Sequence, residues 1–521
     1  MADLSFARKL RIVNLKDEQG LSYRQLEDKV GVPKSTIHDN MVKYREEADA
    51  FHAAVGIDPV ERLVRAALIV SMNGKCSLRD TASVISAIWG IMVSHQTILK
   101  ILEIASNVAS ELNGKIDLGP VQSALFDEIF QKLLPLLVFV DANSGVIMIR
   151  NAPDRTGDSW KEFLEYLKTL GLDPETVATD GGSGLLKGIG EVFGSATLVR
   201  DLYHVLQKLS KATRSMEASC YRFLAIAYAF EKKGDLDKAK EALVRFDQAA
   251  TLFERYEEQL REFKLSSHLD HPESERGYID SKSLLSIVLS LHETLAKFVT
   301  NFSDHRAIKE AQSYLKNGSL EIVAYKKKIS TLVENAFGGQ YKEMILEHLC
   351  PLIEYINQFL RSHDSVARQA FWGKKIADLR HRFRAYSIVD QEEIDSAINM
   401  VWAIGLKSCK SNSLVESVNR VIRAYLKTYK SIPSWFCSLF TFFRNNHTFS
   451  RGKRAKSSPM ELLTGKIQKS NWLDEIIEKF PLEKLRSSLP AIPGLFNPEW
   501  DRANRRPSPR IEKIADLRAV G

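Results

Sequence analysis

The sequence predicts a multidomain protein of mixed α and α/β class, in which small helical modules precede an α/β core and a large all-α insertion interrupts that core. The chain has 521 residues, more than a single hydrophobic core usually organises. Short apolar runs with the period of a strand cluster between 121 and 200, whereas the period of a helix prevails from about 215 to 395. A further helical pattern follows at 413–429.

Residues 21–44 have the pattern of two short helices joined by a tight turn. Ser22 is a candidate N-cap, Gly31 supplies the turn, and Pro33 begins the second helix. An αα-hairpin of a helical bundle has the same pattern, but the run Gly-Val-Pro-Lys-Ser-Thr-Ile resembles the turn and recognition helix of DNA-binding helix-turn-helix modules. That interpretation places four polar side chains toward a major groove: Lys34, Ser35, Thr36 and His38.

Residues 76–105 repeat this layout with a different sequence. Ser77 caps one helix, Gly90 ends it, and Ser94 caps the next. The exposed start of that next helix carries His95 and Gln96, and we expect both side chains to contact DNA. Two such modules in series indicate a bipartite reader of a long DNA site.

The region after these modules has the element order β-β-β-α-β-α-β, which is that of an RNase H-like α/β fold. In that fold the first and fourth strands lie side by side. The segments that predict this order are a strand at 121–131, a hairpin at 136–151 turning at 143–145, a helix at 158–170, a strand at 176–180, a helix at 184–193, and a run at 196–209 that begins as a strand and becomes helical.

Two aspartates occupy neighbouring places in such a sheet. Asp127 lies on the first strand and Asp180 ends the fourth, so their side chains should meet. Glu128 points to the opposite face of its strand. Asp141 stands at the mouth of a turn, where an Asp usually accepts hydrogen bonds from nearby amides, so we prefer Asp127 to it. For Asp180 the alternative is a cap of the following turn.

A third carboxylate, Glu416, begins the helix predicted at 413–429. Ser413 and Glu416 also have the spacing of a capping box, and spacing alone leaves both interpretations open. Phosphodiester chemistry with two metal ions requires carboxylates close together, and Mg²⁺ prefers oxygen ligands.

The set Asp127, Asp180 and Glu416 resembles that of the DDE transposases, especially the Mutator-like and hAT groups and their insertion-sequence relatives, which have a helical insertion before the Glu. Many of these have a Cys- or Asp-x-x-His signature after the second Asp, here Asp201 to His204, and an Asn three residues after the Glu, here Asn419. Residues 448–465 also look like the end of an insertion-sequence transposase.

The resemblance implies a DNA transposase that binds transposon terminal repeats and catalyses strand cleavage and strand transfer. The cofactors implied are two Mg²⁺ (or Mn²⁺) ions on the three carboxylates. His204 is a candidate contact to phosphate or a flipped base, and a core-packed His is the alternative. The partners implied are double-stranded DNA at the ends and target, and further copies of the chain in a dimer or higher oligomer.

Between 420 and 456 the chain has nine Lys or Arg and no Asp or Glu, interleaved with aromatic residues. Such a run is either a solvated face or a phosphate-contacting surface, and the aromatic residues favour the second. The predicted DNA contacts here are Arg420, Arg423, Lys427, Lys430, Arg451, Lys453 and Arg454.

Composition excludes several classes of protein. The five cysteines are scattered without a CxxC pair, which indicates a reducing compartment. The start of the chain lacks the apolar stretch of a signal peptide, and the longest apolar run, 133–140, is too short for a membrane span. We expect the protein beside its DNA, in the cytoplasm of a prokaryote or the nucleus of a eukaryote. Zinc at His268, His271 and Glu273 is disfavoured. For Trp372 an anchor of an amphipathic helix is favoured over the alternative, an aromatic that stacks on a flipped base.

The expected domains are a helix-turn-helix at 1–50, a second such module at 55–115, the core at 118–215 and 396–465, the all-α insertion at 216–395 and a proline-containing, partly disordered tail at 466–521. Two rival functions keep parts of this organisation. One is a domesticated transposase that binds DNA without catalysis, and the other is an RNase H-like nuclease.

Overall fold

The structure is a computed structural model, and it describes residues 12, 21–40, 58–89, 92–131, 134–269, 278–302, 305–362, 365–386, 391–429, 431–450 and 454–488. Contacts divide the chain into two units. The first contains 1–111, 424–443 and 470–521, and the second contains 112–423 and 444–469.

Over the residues that the structure describes, the chain is mostly helical and has one five-stranded sheet. The strands are β1 (Ser123–Gln131), β2 (Leu134–Asp141), β3 (Ile147–Asn151), β4 (Thr176–Thr179) and β5 (Thr197–Arg200). The helices before and within the sheet region are α1 (Tyr23–Val30), α2 (Pro59–Met72), α3 (Leu78–Trp89), α4 (His95–Asn113), α5 (Gly157–Thr169) and α6 (Ser183–Val192). Residues 34–40 are also helical.

The helices after the sheet are longer. They are α7 (Leu202–Lys232), α8 (Leu236–Ser266), α9 (Ser281–Asn301), α10 (Arg306–Phe337), α11 (Lys342–His348), α12 (Pro351–Arg361), α13 (Val366–Tyr386), α14 (Gln391–Leu406), α15 (Ser413–Leu426), α16 (Phe436–Asn446), α17 (Pro459–Thr464), α18 (Trp472–Lys479) and α19 (Leu482–Ser488). A 3-10 turn, Gly339–Tyr341, precedes α11.

The sheet belongs to the second unit and has the strand order β3-β2-β1-β4-β5. β1 pairs antiparallel with β2 and parallel with β4, and β4 pairs parallel with β5. The first and fourth strands are therefore neighbours, as the element order predicts. On one face of the sheet α5 and α6 bury Phe126, Phe139 and Trp160 in a common core, so the opposite face of β1 is left to Asp127 and its alternating neighbours.

The long helices α7 to α10 share a second apolar core in the same unit, which includes Leu209, Phe263, Leu291 and Leu315. Helix α7 runs without a break through position 215, so these helices grow directly out of the helix that follows β5. Helix α9 is long and apolar enough to span a membrane by length and composition. Seven of its residues, from Leu284 to Phe298, are buried among the other helices, as in the core helix of a globular unit.

In the first unit, α1 begins at a capping box between Ser22 and Gln25 and ends at Gly31, whose φ is 64°. Leu26 and Ile37 pack together, and Asn40 Nδ2 donates to the Thr36 carbonyl oxygen. Two more helix starts are capped at the residues expected from the sequence. Ser77 Oγ accepts from the Asp80 amide at 3.1 Å, and Ser94 Oγ accepts from the Thr97 amide at 3.1 Å.

Most aromatic residues of the basic stretch are buried in this unit. Tyr425, Trp435 and Phe436 are each 2% exposed or less, and the Phe436 and Phe440 rings are stacked at 5.1 Å. The Tyr425 hydroxyl donates to the Met72 carbonyl oxygen. These three rings form the core between segments distant in sequence, so they do not support the interpretation of the basic run as a phosphate-contacting surface.

Candidate active site

The register of the sheet brings the two predicted aspartates together. Leu125 on β1 is paired with Ala178 on β4, and the strands are parallel. Asp127 and Asp180 each lie two residues further on, so they stand at equivalent positions on adjacent strands. Neighbouring strands are about 4.8 Å apart, a separation at which two carboxylates repel each other measurably.

Asp127 is buried on the face of the sheet opposite α5 and α6. Its Oδ1 accepts from the Glu128 amide at 2.8 Å, and its Oδ2 accepts from Asn419 Nδ2 at 2.6 Å. Burial raises the pKa of Asp127 to about 7, and the charges of Asp180 and Glu416 add to this effect. The Glu128 amide and His204 act in the opposite direction. The carboxyl is thus held where its negative charge is disfavoured.

Asp180 follows β4 at the start of a glycine turn. Its Oδ1 accepts from the Gly182 amide at 3.0 Å, which is the cap interaction expected as the alternative role. Gly181 has a φ of +88°, a conformation that favours glycine. Oδ1 is therefore used to shape the turn, while the second carboxylate oxygen remains to act on a ligand.

The chain returns to this sheet face after the insertion through residues 406–412. Ser123 Oγ donates to the Leu406 carbonyl oxygen at 3.1 Å, and Thr176 Oγ1 donates to that of Lys407 at 2.8 Å. At the far end of the segment, Asn412 Nδ2 donates to the Phe126 carbonyl oxygen at 2.9 Å. These side chain to backbone hydrogen bonds fix the segment across β1 and β4 immediately before α15.

Glu416 lies in the first turn of α15 and is half-buried. Its Oε1 is 3.7 Å from His204 Nε2, and its Oε2 is 3.8 Å from Arg423 Nη1. The Ser413 amide donates to Ser411 Oγ, and the helix begins at Ser413 itself. The carboxylate of Glu416 therefore points to cationic side chains of the site instead of closing the capping box that the spacing allowed.

Asp201 and His204 form a fixed pair beside Glu416. Asp201 is fully buried, and its Oδ2 lies 2.5 Å from His204 Nδ1. Its Oδ1 accepts from the Tyr203 amide at 3.0 Å and from the Asn412 amide at 2.9 Å. The hydrogen bond to Asp201 raises the pKa of His204 against the effect of burial, and nearby carboxylates add to the rise. His204 thus presents Nε2 to the site from an imidazole that its neighbours orient.

Two buried asparagines connect the helix of Glu416 to β1. Asn419 was singled out by its spacing from Glu416, and the structure places its amide against Asp127 Oδ2. Asn412 was not anticipated, although a polar residue before a helix is a signal for a capping position. Their Oδ1 atoms are buried and have no hydrogen-bond partner among the described residues.

The two competing carboxylates are engaged elsewhere. Asp141 is buried, and its Oδ2 accepts from the Ser144 amide at 2.8 Å and from Ser144 Oγ at 2.6 Å, so it forms the expected turn. Glu128 is on the opposite face of β1, where its carboxylate accepts from Trp160 Nε1 and faces Arg155.

The predicted DNA contacts are distributed over both units. Exposed ones are Lys34, Ser35, His38, Gln96, Arg420, Arg423 and Lys427, whereas Thr36 and His95 are half-buried. Lys430, Arg451 and Lys453 lie outside the described residues. Arg454 is different because its Nε and Nη2 donate to the carbonyl oxygens of Asn143 and Ala142 at 2.8 and 2.6 Å. Burial lowers the pKa of Arg454 to about 10, and its guanidinium holds the β2–β3 turn.

Two other sequence motifs have structural surroundings of their own. His268 Nδ1 is 3.2 Å from Glu354 Oε2, while His271 and Glu273 lie outside the described residues. Trp372 is half-buried and packs between Tyr355 and Phe371, as expected for a helix anchor.

The donor set suits a hard divalent cation. Asp127, Asp180 and Glu416 offer carboxylate oxygens, and a bound cation would favour the charged form of Asp127, which burial and then the charges of Asp180 and Glu416 disfavour. Within the described ranges, no three His, Cys, Asp or Glu side chains are already gathered closely enough to hold a metal ion. Glu416 would have to turn from His204 and Arg423 to complete such a set.

Comparison with known proteins gives one match. The family model described as "Transposase, Mutator family" matches residues 136–282, a range that contains Asp180, Asp201 and His204 but neither Asp127 nor Glu416. No curated protein matches the chain. The match supports a transposase. The Mutator family is distinct from the hAT family, so the hAT part of the resemblance gains no support.

Proposed function

We propose that the chain is a DNA transposase of the DDE type, with Asp127, Asp180 and Glu416 as its catalytic carboxylates on an RNase H-like core. The observation that carries this proposal is the register of β1 and β4, which aligns Asp127 with Asp180. The hydrogen bond from Asn419 to Asp127 brings the helix of Glu416 to the same place. The strand order β3-β2-β1-β4-β5, with only β2 antiparallel to its neighbours, supports the fold assignment.

The three carboxylates would hold Mg²⁺ or Mn²⁺, which when bound supplies activation of the attacking oxygen and stabilisation of the leaving oxygen. The chain itself orients these ligands. Asn419 holds Asp127 Oδ2, the Gly182 amide holds Asp180 Oδ1, and Asp201 fixes the ring of His204 so that Nε2 faces the substrate side of Glu416. In this arrangement His204 can donate a proton from Nε2 to a phosphate oxygen.

DNA recognition belongs to the exposed polar and basic residues in this proposal. Lys34, Ser35 and His38 lie on or before a short helix that follows the left-handed Gly31, which supports a helix-turn-helix that reads terminal repeats. Arg420 and Arg423 project from the helix of Glu416 and would contact phosphates.

The test is cleavage of a plasmid that carries the genomic sequences flanking the coding region on both sides. Asp127→Asn, Asp180→Asn and Glu416→Gln should each lower Mg²⁺- or Mn²⁺-dependent cleavage by about 100-fold or more while binding persists. Asp141→Asn is the matched control, since it changes a buried Asp of the same sheet. Equal cleavage by wild type and all three variants would refute the assignment, and cleavage without strand joining would indicate a nuclease.

A further inference from the structure

The turn that carries Asp180 is held by the all-α insertion. The Asp180 carbonyl oxygen accepts two hydrogen bonds, from the Tyr314 hydroxyl at 2.7 Å and from Arg200 Nη1 at 3.2 Å. Tyr314 belongs to α10, 134 positions further along the chain. A backbone oxygen at the end of a strand is thus fixed by a side chain of the insertion.

Arg200 is the second connection between this turn and α10. It ends β5 and is 5% exposed. Its Nη2 is 3.0 Å from Glu321 Oε2, and its guanidinium lies 5.0 Å from the centroid of the Tyr314 ring. Tyr314 and Glu321 are seven residues apart and so face the same side of α10. One buried cation therefore contacts the helix at two points and the turn at a third.

Two glycines leave the space that this guanidinium occupies. A Cβ atom at Gly181 would lie 1.1 Å from Arg200 Nη1, and a Cβ atom at Gly318 would lie 2.8 Å from Arg200 Nε. Gly181 is in the turn of Asp180, and Gly318 is on α10 between Tyr314 and Glu321. Both the turn and the helix thus approach Arg200 as closely as a residue without a side chain allows.

We propose that Tyr314 and Arg200 are positioning residues for the Asp180 carboxylate, so that the insertion is an integral part of the active site. This inference rests on the proposed function of Asp180. With its carbonyl oxygen fixed by α10 and its Oδ1 fixed by the Gly182 amide, the residue cannot rotate about its backbone without losing three hydrogen bonds. Its second carboxylate oxygen then stays in register with Asp127.

The test compares Tyr314→Phe with Tyr256→Phe in the full-length protein. The Tyr256 hydroxyl, on α8 of the insertion, also donates to a backbone carbonyl oxygen, that of Leu209 on α7 at 3.0 Å, away from the Asp180 turn. Each variant loses one tyrosine hydrogen bond to a backbone carbonyl oxygen, a fully buried one for Tyr256 and a partly buried one for Tyr314, so Tyr256→Phe should lower the melting temperature at least as much as Tyr314→Phe. Only Tyr314→Phe should slow plasmid cleavage, by roughly 10- to 100-fold, because small displacements of a reacting group have effects of that size.

Only Tyr314→Phe should also raise the Mn²⁺ concentration that gives half-maximal cleavage. Glu321→Gln, which keeps the shape of the side chain, should act in the same direction with a smaller effect. If Tyr314→Phe and Tyr256→Phe cleave equally fast at all Mn²⁺ concentrations, the positioning role is refuted.

A readout without catalysis separates this inference from the proposed function. Hydrogen exchange of the Gly181 and Gly182 amides, which donate to Thr179 Oγ1 and Asp180 Oδ1, should accelerate at least tenfold in Tyr314→Phe and stay unchanged in Tyr256→Phe. If exchange is faster in Tyr314→Phe but the wild-type protein does not cleave the plasmid, the contact between Tyr314 and the Asp180 turn is supported and the proposed function is overturned. Unchanged exchange would overturn the contact itself.

Discussion

Asp127→Asn should stabilise the metal-free protein while it abolishes cleavage. Burial raises the pKa of Asp127 from 3.8 to about 7. Between about pH 4 and pH 7, Asp127 is therefore protonated in the folded state and ionised in the unfolded state. At about 1.4 kcal/mol per pH unit, ionising Asp127 lowers the free energy of unfolding by at most about 4 kcal/mol, an effect fully present above pH 7 and absent below the unfolded pKa.

An asparagine at this position avoids that penalty and can keep its hydrogen bonds. Its carbonyl oxygen can accept from the Glu128 amide, as Asp127 Oδ1 does. Its amide can donate to Asn419 Oδ1 if the Asn419 side chain flips, because that oxygen has no hydrogen-bond partner among the described residues. The substitution therefore removes a buried charge without leaving a new unpaired group.

The assay is urea unfolding of both proteins in EDTA at pH 8 and at pH 4. The variant should be more stable by up to about 4 kcal/mol at pH 8, and the difference should nearly vanish at pH 4. Mg²⁺ should raise the stability of the wild type at pH 8 and have little effect on the variant. The control is Asp141→Asn, which should be destabilising by about 2 kcal/mol because Asp141 Oδ2 accepts hydrogen bonds from both the amide and the hydroxyl of Ser144. A destabilised Asp127→Asn protein at pH 8 would refute this reasoning.

Three further predictions concern DNA binding and acid stability. Lys34→Ala with Ser35→Ala should lower the preference for flanking genomic DNA over random duplex about tenfold, measured by competition, whereas Arg24→Ala on the preceding helix should leave it unchanged. Arg420→Gln and Lys427→Gln, tested separately, should each lower the slope of log K against log salt by about 0.9, and an unchanged slope would show a solvated side chain. Burial alone would raise the pKa of Glu354, but His268, Lys410 and the Leu269 amide lower it to about 2. The free energy of unfolding should therefore fall by at most about 3 kcal/mol as the pH drops from about 4.5 toward 2. In Glu354→Gln it should fall less steeply over the same pH range, and an equal slope in both proteins would show that these contacts of Glu354 contribute nothing.

The sequence predicted the sheet well because each of its elements has a local signal. The strand and helix boundaries between 121 and 209 agree with the structure within a few residues, and the turn at Gly145 has the positive φ of a tight hairpin. From that element order the adjacency of β1 and β4 follows, and with it the meeting of Asp127 and Asp180. The pairing of β1 with β4 follows from the order of the elements, and each element can be recognised from a short local pattern, so the sequence was sufficient to predict it.

Residues whose partners are distant in sequence escaped prediction. Arg454 was expected at DNA because it lies in a basic run, but its guanidinium is satisfied by a turn more than 300 positions earlier. Most aromatic residues of the same run are core residues of the first unit for a similar reason. Charge and aromatic content show which side chains a segment carries. Whether those side chains are buried depends on which distant segments contact them, and a local pattern does not show that.

The long separation of Asp180 from Glu416 is tolerated because the return of the chain is fixed at the sheet and not by the length of the insertion. The entropy of closing a loop grows only slowly with its length, so the number of intervening residues matters less than the anchors at its end. Here the anchors are side chains of Ser123 and Thr176 on the backbone of 406–407, and then Asn412 on the Phe126 carbonyl oxygen. Asp201 accepts from the Asn412 amide and orients His204 with its other oxygen, so the same residue fixes the start of α15 and the imidazole beside Glu416. With α10, in the middle of the insertion, holding the Asp180 turn as well, the insertion bears on the site both there and through the return segment 406–412, so changes elsewhere in it should affect the chemistry chiefly through these contacts.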